Sequence, residues 1–170
     1  MKLAEQSLND CRVQDILDLL LTPDRLTQEN LADAESRLER ALSYLEEYGK
    51  QREQTNEWVQ ENLQPSAEKS RLKEWSVLKE TLSMDSQWLD AYKDFLKQVS
   101  EFVRYMRYYP HLYKVVNHNI VFSGADALQT YNYYKTEIEE YAERQKKLDA
   151  ALAAKIQEFH SKNPPKAGGS

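Results

Sequence analysis

The sequence predicts an all-α protein, an elongated antiparallel bundle of three long helices with a short N-terminal helix added as a fourth. Three observations carry this. Apolar residues recur three and four positions apart over most of the chain, the spacing that lines one face of a helix. Glycine and proline are scarce, 4 and 5 in 170 residues, while Leu, Ala, Glu, Lys, Gln and Arg abound, a composition of long helices rather than of sheets with turns. The helix-breaking signals fall at only a few places, so the intervening segments are long and must fold back on one another.

The first helix spans about Lys2 to Leu21 and turns Val13, Ile16, Leu17 and Leu20 to one side. Thr22-Pro23-Asp24 ends it, and Pro23 suits the first position of a second helix with Thr22 as its N-cap. That helix carries Leu26, Leu31, Ala34, Leu38, Leu42, Leu45 and Tyr48. Its pattern fades after Gly49, a residue that costs about 1 kcal/mol relative to Ala inside a helix, and resumes at Trp58, Val59 and Leu63.

Gln64-Pro65-Ser66 is the next break, short enough to make the flanking helices antiparallel neighbours. From Ser66 to Tyr109 the chain predicts one uninterrupted helix. Trp75, Leu78, Leu82, Leu89, Tyr92, Leu96, Val99, Val103 and Met106 form its stripe, and Trp88, Phe95, Phe102 and Tyr109 run beside it. A face that wide needs two neighbouring helices. Folding back about Pro65 places Asp85 near Tyr44 and Trp75 near Arg52. Asp85 stands in the stripe, where an unpaired carboxylate is costly, so a hydrogen bond from Tyr44 or Tyr48 or an opening to water is expected.

Tyr109-Pro110 closes the central helix or kinks it sharply. The connector His111 to Asn117 reads as two turns of helix, and Ser123-Gly-Ala-Asp126 as the cap of a last helix that runs to about Ser161. Leu128, Tyr131, Tyr134, Ile138, Tyr141, Leu148, Leu152 and Phe159 make its stripe, interrupted by Gln145, which should lie near Trp88. Residues 1–162 form one domain in this reading, and 163–170, rich in Pro and Gly, a disordered tail. The outline is spectrin-like or four-helix-bundle-like, and many unrelated functions use it.

Several chemistries lack their signatures. Cys11 is the sole cysteine, so intramolecular disulfides and multi-thiolate zinc sites are excluded, and Asp10 and Asp15 would raise its pKa rather than activate it. Val115, Tyr108 and Gln157 stand three before His118, His111 and His160, so the Glu-x-x-His pattern of di-iron bundles is missing. No phosphate loop, zincin motif or nucleophile elbow occurs. These readings give no catalytic residue, no metal and no cofactor.

The net charge of −5 is uneven: up to Gln64 there are 7 basic and 14 acidic residues, and from Pro65 to Ser123 9 and 7. A concentrated basic surface is lacking, which argues against nucleic acid and makes a membrane an unlikely partner. No apolar run is long enough to span a bilayer and none resembles a secretory signal, so a cytoplasmic protein is expected.

Nine of the eighteen aromatic residues lie between Phe102 and Tyr134. Tyr105, Tyr108, Tyr109, His111, Tyr113, Tyr131, Tyr133 and Tyr134 are the candidate partner-binding residues, because tyrosine offers rigid contact area with a polar tip. The alternative is a small core under the connector. The sequence therefore predicts a non-catalytic interaction or adaptor protein whose partner is another protein or a second copy. A binding bundle with a small-molecule pocket at Tyr44, Asp85, Trp88 and Gln145 is the other expectation.

Overall fold

A computed structural model describes residues 11–62 and 69–162. Four α-helices account for most of them: α1 (Val13–Leu20), α2 (Gln28–Asn62), α3 (Lys69–Tyr108) and α4 (Ala125–Lys162). Among the described residues the fold is all-α but for a two-stranded antiparallel hairpin, β1 (Tyr113–Val116) and β2 (Asn119–Phe122), between α3 and α4. The expectations for Met1 to Asp10, the Pro65 turn and the tail fall outside the described residues.

The organising helix is continuous as expected. α3 runs 40 residues without a break, about 60 Å at the usual rise. It packs against both other long helices. Contacts ascend along α2 as they descend along α3: Glu35 meets Arg104, Tyr48 meets Asp85, and Arg52 meets the Leu82 carbonyl. The same holds on the other flank, where Tyr105 meets Ala127 and Glu80 meets Lys155. Each pair is therefore antiparallel.

One hydrophobic cluster draws on all four helices, with Ile16, Leu31, Leu38, Leu45, Leu96, Val99, Val103 and Met106 fully buried. These residues repeat at helical spacing, so the burial follows directly from the periodicity.

The structure departs from these expectations at three connections. Thr22 does not cap α2. Pro23–Arg25 is a short 3-10 turn, and the Thr22 hydroxyl donates back to the Asp18 carbonyl at 2.7 Å. Thr27 is the cap, its Oγ1 accepting from the Asn30 amide at 3.1 Å. The connector is not two turns of α-helix: Pro110–Leu112 is a single 3-10 turn, and Val115-Val116 and Ile120-Val121 are β-branched pairs that favour strands. Between them Asn117 and His118 both take positive φ, 48° and 62°, the backbone that a two-residue hairpin turn requires. Ser123 stands outside α4, which starts after Gly124, and its amide closes the hairpin on the Leu112 carbonyl at 2.8 Å.

The α2–α3 register also differs from expectation by one to two helical turns. Asp85 faces Tyr48 and Arg52, whereas Tyr44 is exposed. Trp75's side chain is outside the described residues, and Arg52 reaches Leu82 and Asp85 instead. Gly49 sits at the close approach of these two helices: a Cβ there would come within 3.2 Å of Leu89 Cδ2 and Lys93 Nζ.

Candidate functional site

The hairpin end brings most of the aromatic candidates together and sorts them into two groups. Phe102 on α3 stacks on Tyr134 at 5.7 Å and meets the edge of Tyr131 at 5.2 Å, both from α4. Phe122 from β2 covers Tyr131 at 4.9 Å, and Tyr105 packs on Tyr134 at 5.7 Å. Two hydroxyls are anchored to backbone: Tyr105 donates to the Ala127 carbonyl at 3.1 Å and Tyr113 to the Met106 carbonyl at 3.0 Å. The buried Phe102 and the half-buried rings around it build a small core where α3, the hairpin and α4 meet.

Burial pushes the Tyr105, Tyr113, Tyr131 and Tyr134 phenols above their ordinary pKa, with Glu101 adding to the effect at Tyr134. A hydroxyl held neutral donates hydrogen bonds and presents no phenolate at physiological pH.

The second group forms an exposed rim. Tyr108, Tyr109 and Tyr133 keep 59%, 50% and 55% of their surface open. Tyr108 carries the Arg107 guanidinium 5.1 Å from its ring centre. Tyr109 leans on Tyr105, and His111 meets the Tyr109 edge at 6.2 Å. Val115, Val116 and Val121 of the hairpin and Leu128 of α4 are exposed as well. Of the ten large exposed hydrophobic residues in the described segments, seven lie between Tyr108 and Tyr133. An eighth, Leu21, belongs to the turn that the hairpin tip touches, through His118 Nδ1 against the Asp24 carboxylate. Hydrogen bonding and charge from Asp24 raise the His118 pKa.

The four pocket candidates do not share one cavity. Asp85 lies on the α2–α3 seam, ion-paired with Arg52 and 3.4 Å from the Tyr48 hydroxyl. Trp88 and Gln145 lie on the α3–α4 seam and both donate to Asp149 Oδ1, which fulfils the expected proximity of those two. Tyr44 joins neither group. An open groove of about 730 Å³ between α1, α3 and α4 includes Gln145 and Asp149 but none of the other three. Tyr92 in its wall has a phenol pushed up to about 12, by burial first and then by the nearby Asp149 and Cys11.

Sequence reasoning missed the charged side chains that lock the helices. Glu35 is buried on the inner face of α2 and takes the Arg104 guanidinium at 2.8 Å and that of Arg107, while Arg104 also reaches Glu39 at 3.2 Å. Burial alone would push the Glu35 carboxyl up, but hydrogen bonds from the two arginines more than offset it and hold it below the usual glutamate range. The signal was present: Glu35 falls four after Leu31 and three before Leu38, inside the stripe.

Among the described residues no group of three or more His, Cys, Asp or Glu side chains is placed to hold a metal, and no helix is long and apolar enough to cross a membrane. His111 and His118 sit on separate elements, a 3-10 turn and the hairpin tip. No family model, curated protein or solved structure matches the chain.

Proposed function

We propose that this chain is a non-catalytic interaction protein that docks a protein partner through its hairpin end. The observation that carries the reading is the concentration there of exposed apolar and tyrosine side chains, seven of ten in the described residues. Contiguous apolar surface is uncommon on a monomer and marks contact sites. The rings beneath are packed and anchored, so the rim is presented on a rigid base, which lowers the entropy cost of docking.

The architecture suits this role. In our reading the helices form an elongated up-down antiparallel bundle, three long and one short, spectrin-like in outline, that holds the hairpin at one end. An acting place in the cytoplasm, without nucleic acid or membrane as partner, is part of the same proposal, supported by the acidic balance of the chain.

The test replaces Tyr108, Tyr109 and Tyr133 together with Ser, all three being exposed and outside the anchored core. Proteins cross-linked to the wild type in cells are compared with those cross-linked to the variant, alongside thermal melts of both. Loss of a specific partner with an unchanged melt supports the proposal. Equal recovery by both proteins sinks it.

A further inference from the structure

The hairpin has an open strand edge. Its register pairs Tyr113 with Phe122 and Val115 with Ile120, and the Ser123 amide bonds the Leu112 carbonyl at 2.8 Å. Bonded and non-bonded pairs alternate along an antiparallel ladder. The bonded pairs are therefore Leu112 with Ser123, Lys114 with Val121, and Val116 with Asn119. It follows that the N–H and C=O of Tyr113 and Val115 point away from β2. Among the described residues no hydrogen bond reaches them.

The opposite edge is not equivalent, because β2 packs beside α4 with Phe122 against Tyr131. β1 carries two exposed valines, Val115 at 38% and Val116 at 40%, against one on β2, Val121. Proteins blunt such edges with proline, bulges or charge. β1 has only Lys114.

We propose that this edge pairs with the same edge of a second copy, antiparallel, about a two-fold axis at Val115, to give a four-stranded sheet across two molecules. The inference rests on the hairpin end being the docking surface and names its occupant. The arrangement of side chains favours self-pairing in one register. A two-fold axis at Lys114 would set two ammonium groups directly opposite each other, which is repulsive. Moving the axis to Val115 sets each Lys114 opposite Val116 of the second copy. The outward amide and carbonyl of the two Val115 residues then bond each other. On the inner face Ile120 and Val115 of one molecule continue into Val115 and Ile120 of the other, an unbroken apolar row. A closed two-fold pair uses each edge once, so assembly stops at the dimer.

Sedimentation or light scattering of the full chain across a concentration series tests this. The expected mass rises from 20.0 kDa to twice that value. Val115→Pro removes a donor that nothing inside the hairpin uses, on an edge strand where proline is tolerated, so the variant is expected to stay monomeric with an unchanged melt. Val115→Cys is the second arm, because an axis through that residue brings the two thiols within disulfide reach. Mild oxidation should give a covalent dimer, and Leu128→Cys at the same end should not. A wild type that stays monomeric at every concentration overturns the inference, as does a dimer that survives Val115→Pro or a Val115→Cys variant that fails to cross-link. Should Val115→Pro fail to fold, the cysteine arm decides. Such failures leave the docking proposal standing for a different partner, since the tyrosine variant tests that separately.

Discussion

Replacing Arg52 with Met should be the most damaging single surface-to-seam change in the α2–α3 interface. Arg52 and Asp85 side chains are 10% and 12% exposed, so their charges meet largely out of water. Arg52 also donates to the Leu82 carbonyl on the same helix as Asp85. Among the described residues, removing it leaves the Asp85 carboxylate with only the Tyr48 hydroxyl, 3.4 Å away, and takes away a second donor from the Leu82 carbonyl, which keeps its bond within α3. Breaking a buried pair by removing one partner costs about 3–5 kcal/mol. For a chain of this size about 1 kcal/mol moves the melting temperature by roughly 2–4 °C, so a fall of roughly 6–20 °C is expected. The double variant Arg52→Met with Asp85→Leu should recover most of the loss, because no charge is then left buried and the methionine packs on leucine. Urea unfolding of the wild type, both single variants and the double gives the coupling energy. A single Arg52→Met variant within about 0.5 kcal/mol of wild type, the range of ordinary surface substitutions, would refute the assignment of this pair as buried and charged.

Three further outcomes follow from the charged and close contacts. Glu35 has a folded pKa below its unfolded one, so its contribution is present above the unfolded value and lost as pH falls through the folded one. Glu35→Gln should therefore lower stability at neutral pH and flatten the acid limb of the stability curve, as denaturant midpoints measured from pH 7 down to pH 3 would show. His118 behaves oppositely: its folded pKa is raised, so its contact with Asp24 is complete below the unfolded value and lost as pH climbs through the folded one. A ring titration by NMR should give a midpoint above that of an unperturbed histidine, and Asp24→Asn should bring it back. At Gly49 alanine gains about 1 kcal/mol of helix propensity against contacts at 3.2 Å; alanine is expected to be near neutral in thermal melts, and leucine, which cannot fit between α2 and Leu89, clearly destabilising.

What could be read from the sequence was what periodicity encodes. α3, α2 as far as Gly49 and α4 all follow from apolar spacing, since burial of a stripe is the main stabiliser of a long helix. The hairpin was hidden because strands of four residues are too short for a period-two signal, and Asn117-His118 lacks the glycine that usually announces such a turn. Register was hidden too. It depends on Arg52 finding Asp85, a pairing of polar residues across a fading stripe that no one-dimensional pattern records. Of the candidate site, the aromatic clustering was visible, but its division into anchored rings and exposed rim was not, because Tyr105 and Tyr108 differ only in what the chain folds over them.

Hydrogen exchange at single-peptide resolution tests the docking surface most directly. Exchange is compared between the isolated chain and the chain bound to whatever partner wild type retains and the tyrosine variant loses, a second copy included. New protection confined to the hairpin and its flanks, residues 108–133, is the predicted result. Protection appearing instead around Trp58 at the other end of α2, with the hairpin unchanged, would contradict it.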